Sequence, residues 1–324
     1  KSTTTALIGH LLEAGGRRTV MGGNIGRPLI EFADASPEWV VAEASSFQLH
    51  DAPHLTPGIG VLTNLAPDHQ DRYASVAEYY ADKRMLFRNA TPRSIWVVNG
   101  DDPAALDLAR AVPGTHRRWS LEAAADAWWD RAEGRLVLEG EPLLPRDRLP
   151  LLGDHNVANA LAAVLAAASA GLEPHTLATG LASFRGLPHR LEPVRDVDGV
   201  TWINDSKATN LASTAVAVRA MERPYVLLLG GRHKGAPYTS LVPLLAPRCR
   251  AVVAYGEAAA LVQRDVRGAI PTHVRVPFAD AVQHAGRLAR PGDVVLLSPA
   301  CSSFDQFANY EERGAEFRRL VEGL

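Results

Sequence analysis

A lysine followed directly by a serine opens the chain, in Lys1-Ser2-Thr3-Thr4-Thr5. An amphipathic stretch carrying Leu7, Leu11 and Leu12 continues from it. In a phosphate-binding loop such a lysine reaches the terminal phosphates of a nucleotide. The serine hydroxyl binds Mg²⁺, and backbone N–H groups cradle the phosphates. The pair would be the back half of that loop, with the glycine half and its strand expected upstream; alone, it also fits an ordinary helix start. Glu43 ends the apolar run Trp39-Val40-Val41-Ala42 and precedes Ala44-Ser45-Ser46. A carboxylate there can hold Mg²⁺ opposite a loop hydroxyl, or simply be a solvated strand end. Asp68-His69-Gln70-Asp71-Arg72-Tyr73 follows another apolar run, and its His69 suits either a metal ligand or a cap. Lys83, in a helical stretch over 78–87, reads as a surface lysine on its chemistry alone.

Three further polar segments stand beside apolar runs. Asn156 and Asn159 sit three apart at the start of an Ala-rich helix, so they share a face where two amides could meet a base or phosphate, or cap the helix. Asn204-Asp205-Ser206-Lys207-Ala208-Thr209-Asn210 follows a strand and precedes a helix. A bland turn does not need Asp, Lys and Thr together. Ser298-Pro299-Ala300-Cys301-Ser302-Ser303-Phe304-Asp305-Gln306-Phe307 follows the last strand, and its hydroxyls and N–H groups could form an anion nest. Cys301 has no adjoining base, so it reads as packed.

The elements that must position these groups alternate along the chain. Apolar runs at 39–43, 59–63 and 95–99 read as strands of a helix-covered parallel sheet, whose ligand groups lie past the strand carboxyl ends. Residues 128–150 read as a small antiparallel excursion, and a helix over 156–170 stops at Gly171. The aperiodic segment 184–190 marks a boundary. Beyond it, strands at 200–204, 225–229, 251–255, 273–276 and 294–297 alternate with helices at 213–221 and 278–289, giving a second parallel α/β domain. The 324 residues suit two domains. A net charge of −2 argues against nucleic acid as partner. No apolar run reaches a membrane span. With two cysteines, a reducing cytoplasm is the natural compartment.

Taken together the segments resemble the Mur ligase family over essentially the whole chain. The most specific pieces are Gly22-Gly23-Asn24-Ile25-Gly26, Ser45-Ser46-Phe47-Gln48-Leu49, Gly186-Leu187-Pro188-His189-Arg190, 204–210, and 298–307 with Glu312-Arg313-Gly314 behind it. Sister ligases share the ATPase half and differ at 204–210 and at 298–301. The resemblance implies a P-loop NTPase-like parallel α/β domain over 1–186, truncated at its start, and a Rossmann-like amino-acid-binding domain over 187–324. It implies ATP-dependent ligation of D-glutamate to UDP-N-acetylmuramoyl-L-alanine through an acyl phosphate, by a cytoplasmic monomer.

The roles it implies are specific. Lys1, Ser2, Thr3, Asn156, Asn159, Arg190 and Asp205 would bind ATP. One Mg²⁺ would sit on Ser2 and Glu43, a second on His69 and a carbamylated Lys83. Lys1, His69 and Lys83 would be catalytic. Asn24, Ser45 and His69 would face the nucleotide-sugar. Lys207, Thr209, Lys234, Ser303, Phe304 and Tyr310 would surround the D-glutamate. The family's UDP-binding N-terminal domain and complete P-loop are expected upstream, and this fragment by itself is expected to be inactive. His233 departs from the pattern, since many relatives carry an acidic residue there.

Overall fold

The computed structural model describes residues 1–67 and 72–324. The candidate metal ligand His69 lies outside the described residues. The chain divides into two compact units, Lys1–Arg185 and Gly186–Leu324.

The first unit runs α1 (Ser2–Ala14), β1 (Thr19–Gly23), β2 (Trp39–Glu43), α2 (Ser46–His50), β3 (Ile59–Leu62), α3 (Val76–Arg84), β4 (Ile95–Asn99) and α4 (Pro103–Ala109). Next come β5 (Thr115–Ser120), β6 (Ala127–Asp130), β7 (Arg135–Leu138) and β8 (Glu141–Pro145), then α5 (Asp154–Ser169) and α6 (Pro174–Ser183). β1 and β2 pair in parallel with Gly23 opposite Glu43. The other sheet has the order β3-β4-β5-β6-β7-β8. It is parallel from β3 to β6 and antiparallel from there to β8. The antiparallel excursion is therefore no separate module: its first strand extends the parallel sheet through β5.

Apolar burial fixes these layers. α5 packs on α1 and across β4, β5 and β6, and its Ala-rich body buries Ala160, Leu161, Val164 and Leu165 completely. Alanine serves twice here, as the strongest helix former and as a side chain small enough to admit neighbours on two sides. Beneath α4, Trp96, Val98, Phe87 and Leu62 form a second apolar cluster. The helices begin a little earlier than the apolar periodicity indicates, because caps set their starts. Ser75 accepts the Glu78 N–H and begins α3 at Val76. Asp154, following Gly153, begins α5.

The second unit runs β9 (Glu192–Val197), β10 (Val200–Asn204), α7 (Leu211–Arg219), β11 (Tyr225–Gly230), α8 (Val242–Leu245), β12 (Cys249–Tyr255), α9 (Ala259–Val266), β13 (Thr272–Val274), α10 (Phe278–Leu288), β14 (Val294–Leu297) and α11 (Tyr310–Glu322). The sheet order is β13-β12-β11-β14-β10-β9. All pairs are parallel except β9 with β10, so this domain carries an antiparallel edge that the apolar pattern does not announce. β11 is buried along its whole length, as a strand covered on both faces must be. Trp202, Val226, Leu228, Tyr255, Phe278, Val295 and Phe317 meet in one core. The strand expected at 273–276 is shorter, Thr272–Val274, since Pro277 already caps α10. α7 starts at Leu211 because the Asn210 side chain accepts the Ser213 N–H. Among the described residues no helix is long and apolar enough to cross a membrane.

Candidate active site

In the first unit the chemistry gathers where β1, β2 and α1 end or begin. The start of α1 has no side-chain cap and no acidic residue in its first turn. Its leading N–H groups therefore face outward with the positive end of the helix dipole, the arrangement that receives a phosphate. Lys1 Nζ lies 3.6 Å from Glu43 Oε1 and 3.4 Å from the Ala44 carbonyl. Asn24 Nδ2 donates to the same Glu43 oxygen at 3.2 Å. Gly23 makes this approach possible. Its φ is +101°, and a Cβ there would stand 2.4 Å from the Glu43 carbonyl oxygen. The Asn24 N–H in turn donates to that carbonyl at 2.8 Å.

Glu43 is buried, yet its carboxyl lies below the usual range. Burial pushes it up, and hydrogen bonds from Ser2 and Asn24 with the Lys1 charge outweigh that. Its other oxygen, Oε2, is buried and unbonded. A buried carboxylate oxygen without a partner is costly unless something fills it. Together with the Ser2 hydroxyl it fits an Mg²⁺, which takes one or two protein oxygens and completes its shell with phosphates and water. Among the described residues no cluster of three His, Cys, Asp or Glu could make an all-protein cage.

The other candidates in this unit carry structural duties as well. Ser45 is the cap of α2, in a capping box with Gln48. Thr4 Oγ1 donates to Asn159 Oδ1 at 2.9 Å, Asn159 Nδ2 to Asn156 Oδ1 at 3.1 Å, and Asn156 Nδ2 to the Leu152 carbonyl at 2.8 Å. The two asparagines thus do share a face, and that face is tied to α1 through Thr4, two residues past Ser2. Thr3 lies half-buried. Lys83 sits half-buried on α3 with its ammonium 5.3 Å from the Tyr79 ring centre. α3 packs on α2, which starts just past Glu43. Its neighbour Asp82 bonds His50 Nδ1 at 2.8 Å and the Tyr73 hydroxyl at 2.9 Å.

In the second unit four loop segments converge at the carboxyl ends of β10, β11 and β14. Asp205, just past β10, is buried. Its Oδ1 accepts the Leu191 N–H at 3.2 Å, and its Oδ2 accepts the Ser298 hydroxyl at 2.8 Å. Burial pushes its carboxyl up to about 7, against the pull of those bonds and of Arg190 and Arg313. Lys207 Nζ donates to the Tyr310 hydroxyl at 2.6 Å. Lys234 Nζ stands 3.5 Å from Thr209 Oγ1. Ser303 is buried, whereas Phe304 is 59% exposed. His189, Leu191 and Ala300 all hold left-handed φ values, +62°, +45° and +56°. Such strain persists only where the surroundings enforce it.

One residue that holds these loops escapes a reading of residue types. Arg313 is fully buried on α11. It donates to the Ser206 hydroxyl at 2.9 Å, the Ser206 carbonyl at 2.7 Å and the Cys301 carbonyl at 3.2 Å. The sequence marks it only within the Glu312-Arg313-Gly314 piece of the resemblance, whose Gly314 leaves room for the His189 ring.

The Mur ligase middle domain description matches residues 1–167, and the Mur ligase glutamate ligase domain description matches residues 189–301. The UDP-N-acetylmuramoylalanine–D-glutamate ligase of Salinibacter ruber is 43% identical, covering 100% of this chain and 74% of its own length. That of Myxococcus xanthus is 44% identical, with 100% and 73% covered. Among solved structures, MurF from Acinetobacter baumannii superimposes with a TM-score of 0.77 at 16% identity, covering 98% of this chain and 74% of that one. MurF of Thermotoga maritima, solved with ADP, gives 0.71 at 17% identity, covering 99% and 78%. These structural likenesses speak for the fold, and the sequence identities for the lineage. Matched in both halves and along its whole length, the chain belongs to the Mur ligase family.

Proposed function

We propose that the protein joins D-glutamate to UDP-N-acetylmuramoyl-L-alanine at the expense of ATP, in cytoplasmic peptidoglycan precursor synthesis. The relatives' name supplies the substrates. The observation that carries the chemistry is the junction of Lys1, Ser2 and Glu43 at an uncapped helix start, with one buried carboxylate oxygen unfilled.

The residues then divide the work. Lys1 and the first N–H groups of α1 hold the γ-phosphate and spread its charge while the alanyl carboxylate attacks it. Ser2 and Glu43 would hold an Mg²⁺, which supplies neutralisation of the phosphate oxygens. A carbamate on Lys83, with His69, is the proposed holder of a second Mg²⁺. Asn24 and Ser45 face the nucleotide-sugar. Asn156, Asn159, Thr3, Arg190 and Asp205 serve the ATP. Asn159 and Asn156 do so through the start of α1, and Asp205 by fixing Leu191 beside Arg190. Lys207, Thr209, Lys234, Ser303, Phe304 and Tyr310 surround the D-glutamate, whose amine attacks the acyl phosphate and expels phosphate. Among these residues no nucleophile–base pair is needed, since the activated acyl group stays on the substrate.

The direct test incubates the full-length protein with ATP, Mg²⁺, UDP-N-acetylmuramoyl-L-alanine and D-glutamate and looks for the amide product by mass. Its formation is expected, and a folded protein that yields none overturns the reading. Lys83→Arg keeps the charge and cannot form a carbamate. We expect it to lower the rate at least about a hundredfold; wild-type turnover in that variant would dismiss the carbamate.

A further inference from the structure

The structure gives His233 a definite task. Its Nδ1 lies 3.0 Å from the Tyr238 hydroxyl, which lies 2.9 Å from Cys301 Sγ. Tyr238 and Cys301 are both buried, at 1% and 0% exposure. Burial pushes the Tyr238 phenol and the Cys301 thiol up, so both keep their protons. Protons can then run in one direction through the chain. The Cys301 thiol donates to the Tyr238 oxygen, and the Tyr238 hydroxyl donates to His233 Nδ1. The reverse order serves equally when His233 carries its proton on Nδ1.

This chain adds a side-chain link between two loops that already meet where the Gly230 N–H donates to the Pro299 carbonyl at 3.1 Å and at the Arg232–Ser302 pair. Beyond β11, the Arg232 N–H donates to the Ser302 carbonyl at 2.9 Å, and the Ser302 hydroxyl approaches the Arg232 carbonyl at 3.4 Å. Gly231, at φ +126°, permits that approach, because a Cβ there would stand 2.4 Å from the Ser302 carbonyl. These contacts hold residues 230 to 232, and the residues that follow are reached by side chains. The next one is His233, held by Tyr238, and the one after it is Lys234, which reaches toward Thr209. Tyr238 is itself pinned from a third element, its N–H donating to Asp265 on α9 at 3.0 Å.

We propose that His233, Tyr238 and Cys301 form a positioning relay that fixes Lys234 beside Thr209 for the amino-acid substrate. The proposal rests on the placing of Lys234 at the D-glutamate given above. The three residues touch no reacting atom. They set where a cation waits for a carboxylate, so their loss weakens amino-acid binding and leaves nucleotide handling alone. An acidic residue at 233 could accept from Tyr238 in the same way.

The test is steady-state kinetics of the full-length enzyme carrying Tyr238→Phe, Cys301→Ser, His233→Ala or Lys234→Ala. Tyr238→Phe deletes one oxygen and keeps the buried ring. It is expected to raise KM for D-glutamate about tenfold, with kcat within a factor of two and KM for ATP unchanged. Cys301→Ser keeps a donor and should behave as wild type; His233→Ala should match Tyr238→Phe, and His233→Asp should restore the wild-type KM. If Tyr238→Phe and His233→Ala leave KM for D-glutamate unchanged while Lys234→Ala raises it, the relay is wrong and the placing of Lys234 stands. If Lys234→Ala also leaves it unchanged, the placing of Lys234 itself fails. An equal rise in all KM values would mark a general structural role and overturn the relay.

Discussion

Glu43 and Asp205 are two buried carboxyls with opposite electrostatic fates. Glu43 is held below the usual range by its bonding partners, so its contribution to stability is present above the unfolded value and is lost as pH falls. Asp205 is pushed up to about 7 by burial, from 3.8. The native state therefore binds its proton more tightly than the unfolded chain, and stability falls as pH rises from about 4 to about 7. Asp205→Asn keeps an acceptor for the Leu191 N–H and has no charge to bury. Denaturant unfolding of wild type and variant at pH 5 and pH 8 should show the variant gaining on the wild type at the higher pH, by about 3 kcal/mol. A difference that does not change with pH would show that Asp205 keeps an ordinary carboxyl.

At the scale of elements, the Glu43 end of the first unit depends on close backbone approaches. Gly23→Ala places a Cβ against the Glu43 carbonyl in a left-handed conformation. It should cost about 1–3 kcal/mol in unfolding free energy and displace Asn24 from Glu43, which thermal unfolding and the rate together would show. In the second unit Arg313→Met leaves the carbonyls of Ser206 and Cys301 buried and unpaired. A loss of about 3 kcal/mol is expected from denaturant unfolding.

How legible these elements were depends on how apolar they are. β2, β4, β10, β11 and β14 are nearly continuous apolar runs, and the sequence announces them. β5 is Thr-His-Arg-Arg-Trp-Ser and β9 carries Pro193 and three charges, so neither has a pattern that marks a strand. They form because β4 and β10 offer an edge to pair with. Tyr238 was invisible for a related reason, and Arg313 stood only within the Glu312-Arg313-Gly314 piece of the resemblance, with no role assigned. Their roles come from burial by distant segments, and residue type carries no trace of that. The positions of Lys1, Glu43 and the 204–210 and 298–307 segments at helix and strand ends were legible, because each polar segment adjoins an apolar run.

At the scale of the whole molecule, each unit carries its own core and its own half of the chemistry. The first offers a phosphate-receiving helix start with a partly filled carboxylate. The second offers a ring of lysines and hydroxyls at the carboxyl ends of its strands. A ligase needs both kinds of site, one to activate an acid and one to hold an amine. Phosphate release by the full-length protein, with ATP, Mg²⁺ and UDP-N-acetylmuramoyl-L-alanine and either D-glutamate, L-glutamate, L-lysine or no amino acid, tests this most directly. Release that requires both the nucleotide-sugar and D-glutamate, and that drops roughly a hundredfold in Glu43→Gln, is predicted. Release indifferent to the amino acid, or unaffected by the loss of the Glu43 charge, would contradict it.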